Sequence, residues 1–76
     1  MTFTLLGKDI GTFEGYDQVG DSILFFYKVS FNNPELTIYN GVGLEFDYLT
    51  GNLLMYKEDE IIEEFNILSF LNKYYS

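Results

Sequence analysis

The sequence predicts an α+β domain, with a strongly curved antiparallel meander of five or six strands within residues 2–57 and one C-terminal helix, about 59–75, packed on it. Three observations carry this. Short stretches of alternating apolar and polar residues recur up to Lys57, separated by Gly, Asn, Asp and Pro. From Glu58 to Tyr75 there is neither Gly nor Pro, and apolar residues recur at steps of three and four. The chain of 76 residues has room for one core, so residues 1–76 read as a single domain.

Thr2 to Leu6 reads as the first strand, with Phe3 and Leu5 on one face, and Gly7-Lys8-Asp9 as a turn. Ile10 to Tyr16 is a second strand, interrupted by Gly11 and Gly15, and Asp17 to Asp21 has loop composition. Ser22 to Phe31 is the strongest strand. Ile23, Phe25, Tyr27, Val29 and Phe31 alternate onto one face, and Leu24 and Phe26 onto the other. Its centre is therefore apolar on both sides, as in a strand covered on both faces.

Asn32 to Glu35 reads as a turn around Pro34, and Leu36 to Tyr39 as a short strand. Asn40-Gly41 predicts a type I′ hairpin turn, which needs positive φ at both central residues. Val42 to Tyr48 alternates apolar residues with Gly43, Glu45 and Asp47; after Thr50-Gly51-Asn52, Leu53 to Lys57 completes the meander. In the helix, Ile61, Phe65, Leu68, Leu71 and Tyr75 form the apolar stripe, which Ile67, Phe70 and Tyr74 widen. Asp59 is the expected N-cap, with negative charge in the first turns and Lys73 near the far end.

One helix covers only one face of a sheet. The second apolar face has three outlets: curling into a small barrel, stacking against a second copy, or meeting a different partner. Curling is the plainest, and Gly11, Gly15 and Gly43 are placed to help strands bend.

Composition narrows the function. Twelve Asp and Glu face four Lys and no Arg, giving a net charge of −8, and the chain lacks His, Cys, Trp and Ala. Without Cys there is no disulfide, thiol nucleophile or zinc–thiolate site. Without His the usual general base near neutral pH is missing. Charge of this sign disfavours direct nucleic-acid binding and anionic membrane surfaces. The first residues lack a signal-peptide pattern, so a cytoplasmic protein is expected. Eight Phe and seven Tyr are a heavy aromatic load for a small core, and Tyr also suits interfaces.

No cofactor or metal is expected. Glu45 and Asp47 share a strand face about 6.7 Å apart, but no second group is evident to shift either carboxyl towards acid–base work. Thr50-Gly51-Asn52 lacks the spacing of a calcium loop, and no glycine pattern cradles phosphate. The chain therefore reads as a binding protein, not an enzyme. Glu58, Asp59, Glu60, Glu63 and Glu64 place five carboxylates within seven residues. On a helix, Glu60 and Glu64 would be neighbours one turn apart.

Rows of carboxylates can imitate nucleic-acid phosphates and draw in a basic groove by electrostatic steering. The plainer explanation of this acidity is a solvated, soluble surface. The function expected is an inhibitor or neutraliser of a basic, nucleic-acid-handling protein, of the phage anti-defence or toxin-immunity type. Its contacts would be Glu45, Asp47, the Glu58–Glu64 cluster, Tyr48 and Tyr74. The alternative is a non-catalytic assembly module that homodimerises through the second sheet face.

Overall fold

The computed structural model describes residues 1–76 and contains seven strands, one 3-10 helix and one α-helix. The strands are β1 (Thr2–Leu5), β2 (Lys8–Thr12), β3 (Gly15–Val19), β4 (Ile23–Phe31), β5 (Val42–Asp47), β6 (Asn52–Lys57) and β7 (Glu60–Asn66). A 3-10 segment, Pro34–Tyr39, connects β4 to β5, and α1 spans Ile67–Tyr74. Every strand pair is antiparallel.

The sheet runs β1-β2-β4-β5-β6-β7, with β3 added beside β4. The long β4 serves two neighbours along one edge: its first half pairs β3, while Ser30 and Phe31 pair β2. β1 and β7 do not pair, so the sheet stays open, and the strong curvature expected of it is absent. Instead the β1–β2 hairpin folds over one face, where Phe3 stacks on Phe26 with ring centroids 4.6 Å apart. The helix covers the rest of that face through Ile67, Phe70 and Leu71, all buried. Phe26, Val29, Leu44, Phe46, Leu53 and Met55 complete this inner core.

Several expected elements fall elsewhere. The second strand is split in two at Phe13–Glu14, and residues 15–19, expected to be largely loop, form β3. Leu36 to Tyr39 is not a strand. Asn33 accepts the Glu35 N–H on its side chain and Pro34 starts the 3-10 turn, which buries Leu36 beneath the sheet. With that strand gone, Asn40-Gly41 is no hairpin: Asn40 has φ −59° and its amide oxygen accepts the Phe31 N–H at 2.9 Å. Positive φ at both central residues occurs at Leu6-Gly7, φ 48° and 81°, which closes β1 onto β2.

The larger correction concerns Glu58 to Asn66. These residues are not the start of the helix. They form a tight turn and β7, which pairs along the whole of β6. The helix N-cap is Asn66, not Asp59: its side-chain oxygen accepts the N–H groups of Leu68 and Ser69 at 3.0 and 3.3 Å. Pairing with β7 saturates the open edge of β6, whose Leu53 and Met55 are fully buried, and this outweighs the helical spacing of the sequence. Two members of the expected stripe, Ile61 and Leu68, are accordingly 54% and 66% exposed.

β4 also departs from simple alternation. Phe26 pairs Leu44 and Val29 pairs Val42, so Tyr27 and Lys28 together oppose Gly43. This bulge, with Lys28 at φ 51°, reverses the face of every later residue. Val29 and Phe31 therefore join Phe26 inside, while Ile23, Phe25 and Tyr27 lie outside. No helix is long and apolar enough to cross a membrane.

Candidate functional site: the uncovered sheet face

Nothing covers the outer face of strands β3 to β7. Register alone fixes its composition, because residues paired across a ladder point to the same side. Asp17 pairs Phe25, Phe25 pairs Glu45, Glu45 pairs Leu54 and Leu54 pairs Glu64. One straight row across five strands thus alternates carboxylate, ring, carboxylate, alkyl and carboxylate. Successive carboxylates stand two strands apart, about 10 Å. A parallel row of Val19, Ile23 and Asp47 lies towards one end of the strands, and Gly43, Tyr56 and Ile61 form another towards the opposite end.

Phe25 occupies the middle. Its ring lies across Gly43, where an added Cβ would meet Phe25 Cζ at 2.6 Å. Only a residue without a side chain lets the ring settle there. Tyr27 and Tyr56 flank it, with centroids 5.2 and 5.6 Å away. The Tyr27 hydroxyl donates to Asp17 Oδ2, and the Tyr56 hydroxyl donates to Glu45 Oε1 at 3.4 Å. Burial pushes the Tyr56 phenol above its ordinary pKa, and the charge of Glu45 and the hydrogen bond to it add to the effect. The three rings line an open depression of about 520 Å³, bordered by Lys28 and Lys57 on one hand and Glu58 and Asp59 on the other.

The structure disperses the acidic residues singled out in the sequence. Glu45, Asp47 and Glu64 share the outer face. Glu58 and Asp59 form the β6–β7 turn at one end of it, and Glu60 stands beside that turn opposite Lys57. Glu63 points to the other side, where it accepts the Tyr39 hydroxyl at 3.0 Å; this bond, with burial and the charge of Glu63, raises the Tyr39 pKa. The one-turn neighbour relation of Glu60 and Glu64 does not exist on a strand. Asp47 is engaged in its own loop. Desolvation pushes its pKa up, but hydrogen bonds from the Leu49 and Thr50 N–H groups and from Ser22 and Thr50 prevail and hold it below the usual value.

Tyr48 lies at the opposite end of the strands from the Glu58 turn, its hydroxyl donating to the Asp21 carbonyl. Tyr74 packs beneath the sheet against Phe65 and Phe70, with the Lys73 ammonium 5.1 Å from its ring centre. Asp17, Phe25 and Leu54 are not candidates from the sequence, and Tyr27 and Tyr56 are so only as two of seven tyrosines suited to interfaces. The alternation Tyr16-Asp17-Gln18-Val19 was the available signal for β3. No cluster of three or more His, Cys, Asp or Glu side chains is placed to hold a metal ion. Compared with protein-family models, curated protein sequences and solved structures, the chain matches none.

Proposed function

We propose that this is a small acidic binding protein that neutralises a basic partner protein by docking the outer face of its β3–β7 sheet on it. The observation that carries this is the row Asp17, Phe25, Glu45, Leu54, Glu64, which puts fixed charges of one sign and apolar contact area on the same uncovered surface. The partner class is a nucleic-acid-handling protein, since a groove that holds DNA or RNA presents the lysines and arginines this face would meet. Inhibition follows by occupancy of that groove, as in phage anti-defence or toxin-immunity proteins. Steering by the net charge of −8 favours fast association.

A homodimer through the same face has one observation in its favour: the apolar area of Ile23, Phe25, Leu54 and Tyr56. Against it, stacking two copies would set Asp17, Glu45 and Glu64 against their own kind, and like charges brought together oppose association.

The test starts with a pull-down from the native host at low and high salt, followed by binding measurements on the purified partner. Affinity is expected to fall steeply with salt, and the double reversal Glu45→Lys and Glu64→Lys is expected to abolish binding with the melting temperature little changed. Undiminished affinity in that double variant would overturn the proposal. A sedimentation boundary whose mass rises with concentration would favour the homodimer instead.

A further inference from the structure

The geometry points to Phe25, with Tyr27 and Tyr56 beside it, as the anchor of the outer face, taking an arginine side chain of the basic partner. This inference rests on the proposed function and specifies the chemistry of its central contact. Register puts Asp17 and Glu45 on the two sides of Phe25, and the two tyrosine hydroxyls donate to those same carboxylates. The result is three rings with two carboxylates at their edges. A phenol that donates to a carboxylate leaves its ring richer in electrons, and ring faces of this kind attract cations.

A guanidinium suits the site better than an ammonium. It is planar, weakly hydrated and able to stack on a ring while its N–H fork, directed outward in its own plane, reaches carboxylates around the ring's edge. Gly43 lies under the Phe25 ring, and its lack of a side chain lets the ring sit there between the two tyrosines. The two lysines at the margin do not reverse the field. Lys28 is 3.4 Å from the Glu14 carboxylate, Lys57 faces Glu60 across the turn, and Glu58 and Asp59 border the same depression.

The occupant comes from a different protein, because this chain contains no arginine and a second copy has none to offer.

The test titrates the isotope-labelled full chain with nonapeptides of arginine, lysine and citrulline, following amide and ring resonances by NMR. The arginine peptide is expected to bind about threefold more tightly than the lysine peptide, the citrulline peptide not at all, with shifts centred on Phe25, Tyr27, Gly43 and Tyr56. Phe25→Leu should remove the preference for arginine and leave affinity for the lysine peptide nearly intact. Should its spectrum show unfolding, Tyr27→Leu serves the same purpose. Equal affinity for both cationic peptides on this face overturns the anchor and leaves the acidic docking face standing. Shifts confined to other surfaces, or no binding, overturn both.

Discussion

The two faces of the β3–β7 sheet are made by the same strands, alternate residue by alternate residue, yet they do opposite things. Inside, Leu44, Leu53 and Met55 have no exposed surface and no polar side chain is buried with them. Outside, Phe25, Leu54 and Tyr56 are only half-buried, and Phe25 and Leu54 each stand between two carboxylates. The inner face is held by contact with the β1–β2 hairpin and α1. The outer face is held by the backbone ladder and by contacts among its own half-exposed side chains, with no second layer packed on it, so those side chains contribute less to folding and remain available to a partner. A bulge at Lys28 separates the two roles, turning a strand that reads as apolar on both sides into one with a committed inner face and a free outer one.

The sharpest way to break this comparison is to truncate matched residues on the two faces. Phe70→Ala, inside, should cost about 4 kcal/mol and leave the domain largely unfolded, as read by urea titration. Phe25→Ala, outside, should cost about 1–2 kcal/mol at most, because a half-exposed ring loses less on removal. Similar losses at both sites would mean that the outer face is structural.

Gly11→Ala tests the junction of β2 with β4. A Cβ there would sit 2.0 Å from the Ser30 carbonyl oxygen, on backbone that cannot yield, and φ is 155°. Destabilisation of more than about 2 kcal/mol is expected in the same titration. Gly43→Ala meets only the far end of the Phe25 ring, so it should cost less, about 1 kcal/mol, while displacing the ring.

Tyr75 reports on the closure of the inner side. Its hydroxyl donates to the Ile10 carbonyl at 3.0 Å, joining the chain end to β2. Burial pushes its pKa up to about 12 from 10.0, with the Asn33 backbone lowering it and Asp9 raising it. A folded-state pKa above the unfolded one means that this stabilisation is complete below pH 10 and lost as pH rises towards 12. Thermal melts across that range should show a decline that Tyr75→Phe reduces, together with a loss of about 1 kcal/mol at neutral pH.

The smallest effect has the opposite sign. Glu58 sits in the β6–β7 turn at φ 57°, where glycine is free of the steric penalty. Glu58→Gly should stabilise the fold by up to about 1 kcal/mol and, with one fewer carboxylate at the depression, weaken arginine-peptide binding. A melting temperature that falls would show that the Glu58 side chain carries a structural role.

Much of this architecture was legible in the residues, and the misreadings have definite causes. The alternation of Val42 to Asp47 identified β5 and placed Glu45 and Asp47 on one side. The pattern in Glu58 to Asn66 was ambiguous: Ile61 and Phe65 are four apart, as on a helix, while Glu63 and Phe65 are two apart, as on a strand, and a register shift in β7 puts Ile61 on the opposite face from both. Isolated propensity and charge placement favoured the helix. The unsatisfied edge of β6 decided for the strand, and that edge exists only once the sheet has formed. The acidic cluster was therefore visible as composition but not as geometry.

Local chemistry and inventory could be read from the residues alone: mixed α and β structure, a helix at the C-terminal end though not its start or length, a strongly negative charge, and the absence of thiols, imidazoles and guanidinium groups. Tertiary structure decided which residues share a surface. Asp17, Phe25, Glu45, Leu54 and Glu64 come from five separate strands, and their alignment is set by ladder register and by bulges. A bulge changes side-chain direction by inserting one residue, which no local pattern announces, because its reason lies in the strand across from it.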